Sequence, residues 1–396
     1  MQENIRTYYV SARSRFFKYA IDCFLLLSFI YITLRLLYDY SVGGNSWKQG
    51  DWLINNAAGP IRRGPFGSAV ISISDWLNMD LLAFVILIQI ALLALTYAVF
   101  WKIVKSIHDP KITIIFITSS AIFSVFWVAD PQGSVQKELI AFAGISLYAL
   151  GAIRINWILL WLGVALFLVS TLSHEAMVLF IPTFFAIIIF SGLHKTSARH
   201  SMASIAAIVS FSIYAFLFAI THTRLEDTYP ICAMLTERGL GESICGGAIR
   251  WLSYDTAYGL EAVTSRLDVR SLAGFSIAYF AALAPLAYII WLSKGRVLSG
   301  MAVIMLALPF VPLYPVAVDW GRWISFHVFS ATIVLACGIT TGRSPLQRVP
   351  SDLSLFSLVT LGFLISPLHM IGIIWGGAPR RVVSDFMRLL SYTGSH

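Results

Sequence analysis

Residues Ile155 to Leu193 read INWILLWLGVALFLVSTLSHEAMVLFIPTFFAIIIFSGL, thirty-nine residues whose apolar run is broken only at His174-Glu175. One helix of that length would reach roughly 58 Å, about twice the hydrocarbon thickness of a bilayer. The stretch therefore reads as two membrane spans that turn at Ser173-His174-Glu175. Working outward at about 20 apolar residues per span gives nine more. Before it lie Tyr19–Leu37, Leu81–Trp101, Ile112–Ala129 and Leu139–Ile153. After it come Met202–Ile220, Ser271–Leu292, Val297–Val316, Trp323–Thr341 and Leu353–Trp375. The expected fold is an all-α polytopic transmembrane helical bundle of about eleven spans, forming a single domain over residues 1–396. Composition agrees, since 58% of residues are hydrophobic and 12% charged, against roughly 25% charged in soluble domains. No internal repeat, low-complexity tract or linker divides the chain.

The loops assign sides. One set contains the basic amino-terminal tail, with Arg6, Arg13, Arg15 and Lys18. It also contains Lys102, Lys105 and Lys111, Arg154, Lys195 to Arg199, Lys294 to Arg296, and Arg343 to Arg348. Short basic loops mark the cytoplasmic face. The tail leads into a retained span and shows no small-residue cleavage site. The opposite set holds residues 38–80, 130–138, 173–175, 221–270, 317–322 and the tail after residue 375. The net charge of +8 is spread over the loops, which fits orientation and anionic headgroups and excludes a nucleic-acid partner. Loop 221–270 is expected to form a small helical cap stapled by a Cys232–Cys245 disulfide if it faces an oxidising compartment. Cys23 and Cys337 lie within apolar runs.

Charged residues gather on the outer set, where the positive-inside bias makes basic groups unusual. Asp51-Trp52 precedes Arg62-Arg63-Gly64. Adjacent arginines match phosphate oxygens in bidentate fashion, and Asp51 could orient them or act as general base. Asp130-Pro131-Gln132-Gly133 leads to Lys137-Glu138 at a helix start, where an anion is favoured. His174-Glu175 supplies a proton relay and a carboxylate in an apolar rim. Asp319 and Arg322 are one helical turn apart, beside Trp320 and Trp323, which could stack on sugar rings. Arg380-Arg381 lies in the outer tail. Each pattern also has a plainer reading, as interfacial anchors, capped helix ends or solvated faces. For Arg380-Arg381, His327 and the cap charges the plainer reading is preferred. No spacing fits a zinc site.

The combination Asp51-Trp52-Leu53-Ile54-Asn55, Arg62-Arg63-Gly64, Lys137-Glu138, His174-Glu175 and Asp319-x-x-Arg322 resembles bacterial multispanning proteins of the EpsG and Wzy type. The wider group is similar to membrane glycosyltransferases of the GT-C kind. The resemblance implies polymerisation of undecaprenyl-diphosphate-linked glycan repeat units at the outer, periplasmic face of a bacterial inner membrane. Donor and acceptor are then both undecaprenyl-linked oligosaccharides, with membrane lipids and other polysaccharide-assembly proteins as partners. It assigns Asp51, His174 and Glu175 to proton transfer. Arg62, Arg63, Lys137, Glu138, Asp319 and Arg322 are assigned to substrate and diphosphate binding, with no cofactor or metal. Asp39 and Asp51, twelve apart, do not form the acidic pair of enzymes that use polyprenyl monophosphates. The enzymatic alternative is a GT-C transferase adding one sugar from such a donor with Mg²⁺ or Mn²⁺, and a glycolipid flippase or exporter is the transport alternative.

Overall fold

A computed structural model describes residues 2–393, with side chains from 16 to 388. The tail residues Arg6, Arg13 and Arg15 thus lie outside the described side chains. The architecture is all-α. The first helix, α1 (Gln2–Ser41), leads through the one-turn α2 (Gln49–Trp52) and α3 (Gly64–Trp76) into α4 (Leu81–Lys105). Two short helices follow, α5 (Pro110–Ile117) and α6 (Phe123–Ala129). A long hairpin comes next, α7 (Glu138–Arg154) and α8 (Trp157–Ser173). After a 3-10 turn at Glu175–Phe180 come α9 (Ile181–Ser191), α10 (Leu193–Thr196) and α11 (Ala198–Thr221). The cap contains α12 (Tyr229–Thr236) and α13 (Thr256–Thr264). The chain then forms α14 (Val269–Leu292), α15 (Arg296–Ala307), α16 (Trp320–Thr340) and α17 (Asp352–Leu364). It closes with the hairpin strands β1 (Ile365–Pro367) and β2 (Ile373–Trp375) and helix α18 (Gly377–Thr393).

Among the described residues, six helical segments are long and apolar enough to cross a membrane: Phe16–Ser41, α4, α11, α14, Arg296–Leu313 and α16. Three further apolar helices, Trp157–Ser173, Glu175–Ser191 and Asp352–Leu364, are shorter. The expected turn at His174-Glu175 is present, so the 39-residue stretch divides there.

Two expected spans are interrupted. Ile112–Ala129 breaks between Ile117 and Phe123. At the break Ser124 Oγ donates to the freed Ile117 carbonyl at 2.8 Å, and Ser119 Oγ ties the break to α14 by donating to the Ala282 carbonyl at 3.1 Å. A broken helix at membrane depth is tolerated when buried in protein, and residues 118–122 are all buried. Leu353–Trp375 stops as a helix at Leu364. Pro367 cannot donate a backbone hydrogen bond, and Gly372 and Gly376 adopt φ of 147° and 77°. The remainder folds as the three-residue antiparallel ladder of β1 and β2. The tail after 375 is helical. It packs against α6 and α17, and Tyr31 Oη donates to Asp385 Oδ2 at 2.6 Å.

The α7–α8 hairpin forms the most extensive helix pair of the bundle. Its axes approach through glycine, since a Cβ on Gly163 would crowd the Tyr148 backbone and one on Gly144 would meet the Gly163 carbonyl. Small residues permit such close approach of helices within membranes. α16 crosses beside this hairpin, buried from Trp320 to Gly338. The pairing is what holds Glu138, at the start of α7, near His174, at the end of α8. Gly163→Leu should therefore lower the thermal unfolding midpoint of detergent-purified protein, with overpacking costing about 1–3 kcal/mol or more. An unchanged midpoint would refute the close-packed hairpin.

Candidate functional site

Segment 38–80 folds back as the short α2, an extended turn and α3. Its backbone must pass close to itself. A Cβ on Gly64 would collide with the Asn56 side chain, and one on Gly67 with the Ile54 carbonyl. Arg63 caps α3 in the left-handed region, at φ 68°. A non-glycine residue there costs of order 1–3 kcal/mol and persists only where surroundings impose it. What imposes it here is a set of ion pairs. Arg63 donates to Glu175 through Nε at 2.8 Å and through Nη2 at 2.6 Å. It also donates to Asp51 through Nη1 at 3.2 Å. Arg62 Nη1 reaches Glu175 at 3.3 Å. The loop is thereby fastened to the α8–α9 turn, more than a hundred residues away in sequence.

Behind this joint lies a more deeply buried tier. Lys137 Nζ sits 3.8 Å from Asp51 Oδ1 with its side chain fully buried, and 5.5 Å from the Phe66 ring centroid. Val135, two residues before it, has φ 48°, a second strained position for a β-branched residue. Glu138 accepts from Arg322 Nη2 at 2.8 Å, and Arg322 Nη1 lies 3.5 Å from Asp319. Arg322 also contributes to the electrostatic environment of Asp51. Every residue assigned to the reaction from sequence, from Asp51 to Arg322, therefore falls in one group at one end of the bundle. Asp51, Glu138, Glu175 and Asp319 balance Arg62, Arg63, Lys137 and Arg322, four against four, so the group is neutral when all are ionised and His174 is not.

Burial alone would raise the Asp51 carboxyl, but Lys137 and Arg63 outweigh it and hold it low. The same contest at Glu175, with Arg63 as the main opposing charge, ends well below the usual carboxylate range. Burial, then Asp51 in opposition, takes the Lys137 ammonium down to about 8. Burial and Arg63 push His174 down to about 3. Its Nδ1 accepts from the Ala176 backbone N–H at 3.1 Å, so neutral His174 carries its proton on Nε2.

The supply of donors exceeds what the protein fills. Arg62 Nε, Lys137 Nζ, Arg322 Nε, Trp52 Nε1 and Trp323 Nε1 are buried and make no hydrogen bond to any described residue, whereas Asp51 Oδ2 is the one acceptor of these residues in that condition. Buried polar atoms are nearly always hydrogen-bonded. Arg62, Arg63 and Glu175 side chains are 23%, 18% and 20% exposed, which makes them the entrance to the buried tier.

The cap covers this entrance loop. Cys232 and Cys245 are joined as a disulfide. Ile231, Leu235 and Ile244 of the cap share an apolar cluster with Trp52, Leu53 and Ile54. Arg62 N donates to the His222 carbonyl at 2.9 Å. Beside the site a cavity of about 300 Å³ opens between α14, α15 and α16, lined by Phe275, Tyr279, Phe310, Tyr314, Trp320 and His327 among others. His327 is a packing residue, its ring nitrogens bonded to Tyr279 Oη at 3.0 Å and the Val303 carbonyl at 2.7 Å.

Two groups stand apart from the network. Arg380 binds the Trp375 carbonyl at 3.3 Å and Arg381 pairs with Asp385 at 3.3 Å. In the cap, Arg238 pairs with Asp75 at 2.9 Å. Asp130 accepts from His369, a residue the sequence reading passed over. It also passed over the buried pair of Lys48 and Asp39. Among the described residues no group of three or more His, Cys, Asp or Glu is arranged to hold a metal ion. Comparison with family models, curated proteins and solved structures returned no match.

Burying His174 uncharged ties stability to pH. Its folded pKa lies below the unfolded value of 6.5, so as pH falls the unfolded chain takes the proton first. The contribution is complete above 6.5 and is lost progressively toward 3; the lowered Asp51 and Glu175 add losses below the ordinary carboxylate range. The thermal midpoint in detergent should fall between pH 7.5 and 4. His174→Asn, whose Oδ1 can still accept from Ala176, should flatten the upper part of that decline. An equally steep profile in the variant would remove His174 from this account.

Proposed function

We propose that this chain is a membrane glycosyltransferase that polymerises undecaprenyl-diphosphate-linked glycan units at the outer face of a bacterial inner membrane, a function of the EpsG and Wzy type. The observation that carries the reading is the surplus of buried, unfilled donors in a preformed ionic network at one end of an apolar helical bundle. An anion entering past Arg62 and Arg63 would meet Lys137 Nζ, Arg322 Nε and two indole N–H groups. Those donors are of the type that stabilises a departing diphosphate by preorganised electrostatics, without reorganisation during reaction.

The balance of charge assigns roles. Glu175 and Asp51 are committed to arginine and lysine and are weak proton acceptors in that state. In the proposed reaction they hold Arg62, Arg63 and Lys137 in register, and Glu138 and Asp319 do the same for Arg322. His174, neutral with its proton on Nε2, is a donor. Trp320, which lines the neighbouring apolar cavity, stands two residues from Arg322. A polyprenyl chain in that cavity would leave its phosphates beside the cluster. The cap closes over the entrance and would confine the glycan.

The direct test is incubation of purified protein with a defined undecaprenyl-diphosphate oligosaccharide. The expected result is a ladder of longer products. A single added residue from a polyprenyl-monophosphate donor would favour the one-sugar transferase, and movement of labelled lipid without new bonds would favour transport. Arg62→Ala should reduce chain extension roughly 10²- to 10³-fold, the scale of losing one electrostatic contact to a developing charge, while the thermal midpoint moves little because Arg63 still joins the loop to Glu175. Extension at the wild-type rate would remove Arg62 from diphosphate binding.

A further inference from the structure

With its expected carboxylates paired to cations, the proposed reaction lacks an obvious group to take the acceptor's proton. The hairpin between β1 and β2 supplies one. At its tip His369 presents Nδ1 to Asp130 Oδ2 at 2.7 Å, and its backbone N–H donates to the same oxygen at 2.6 Å. Asp130 is buried, its side chain 7% exposed, while the His369 side chain is 20% exposed. A carboxylate accepting at Nδ1 fixes the tautomer in which Nε2 carries the lone pair, and among the described residues Nε2 has no hydrogen-bond partner. A buried carboxylate orienting an imidazole whose far nitrogen is free is the arrangement of a general base.

The tip is seated against the same network. Gly321 N donates to the His369 carbonyl at 3.2 Å, and Gly321 directly precedes Arg322. On the other side a Cβ on Gly133 would collide with His369 Cβ, and Gly133 lies four residues before Lys137. The hairpin thus enters between the two backbone segments that carry Lys137, Glu138 and Arg322.

We infer that His369, positioned by Asp130, is the general base of the site. The inference rests on the glycosyl-transfer reading above. The acceptor hydroxyl oxygen forms a bond to the donor's anomeric carbon, and its proton passes to His369 Nε2. The bond from that carbon to the diphosphate oxygen breaks, with the electron pair leaving on undecaprenyl diphosphate. The imidazolium then returns its proton to the released diphosphate or to water.

The experiment compares chain extension by full-length wild-type protein with that of three variants, each checked for monodispersity in detergent. His369→Asn keeps an N–H near the Nδ1 position for Asp130 but has no proton-accepting nitrogen at Nε2. It should lose about 10²- to 10⁴-fold, the usual contribution of general acid–base catalysis, and lose the acid limb of the rate–pH profile. The charged groups that could otherwise shape that limb are Asp130, Lys48 beyond it, and Asp319 and Arg322 on either side of Gly321. Asp130→Asn should show a smaller loss. His369→Ala should regain activity with added imidazole. His369→Asn within threefold of wild type would overturn the assignment, and so would a loss in both His369 variants with no imidazole rescue and an unchanged pH profile, which marks a structural contact. A wild-type protein that forms no extended product fails at the function itself, and the assignment falls with it.

Discussion

The clamp of Arg63 on Glu175 and Asp51 is the interaction on which the rest of this end of the molecule depends. A charge placed among apolar helices is stable only when paired and hydrogen-bonded. Here the pairing joins segments that share no local sequence: the turn before α3, the α8–α9 turn and α2. The clamp explains why a bulky residue adopts left-handed backbone at position 63. Removing one partner would strand the other as an uncompensated buried charge, which costs far more than the pair contributes when intact. The clamp is therefore better understood as a constraint on geometry than as a source of stability.

Neutrality has a chemical consequence. A cluster of free arginines would bind any anion tightly in its ground state, and uniform binding does not speed reaction. Cations already matched by carboxylates hold a weaker field, directed by geometry instead of net charge. The donors left over, at Arg62 Nε, Lys137 Nζ and Arg322 Nε, are those not consumed by the pairing. In the proposed reaction, an oxygen that gains charge would draw on them as the charge appears. Strain at Arg63 and Val135 flanks this set, consistent with a site whose parts are held in position by the surrounding fold.

Much of this was legible in the sequence because hydrophobicity and its interruptions are local signals. The break at His174-Glu175, the cap with its Cys232–Cys245 bridge and the gathering of Asp51, Arg62, Arg63, Lys137, Glu138, His174, Glu175, Asp319 and Arg322 all follow from where polar residues interrupt apolar runs. Other features depend on contacts that no window of sequence contains. Ile112–Ala129 and Leu353–Trp375 satisfy the length of a span, yet side-chain hydroxyls and a hairpin divide them. Whether a carboxylate is a base or an anchor depends on which cations reach it, and Glu175 meets Arg63 across 112 positions. Asp130 was visible as a charged turn, but its partner His369 lies 239 residues further on, in a stretch read as the end of a span.

The hairpin's position follows from backbone packing more than from its own sequence. Gly133 and Gly321 leave no room for side chains where the tip passes, so it can sit only where those two segments permit. Each of those segments also carries part of the ionic network, Lys137-Glu138 on one and Arg322 on the other. A displacement of the hairpin large enough to move His369 would have to move the backbone beside Arg322, and a displacement of Arg322 would break its contact with Glu138. The imidazole and the cations are consequently fixed to a common frame, the condition under which a proton acceptor and a charge-stabilising group can act on one substrate in one step.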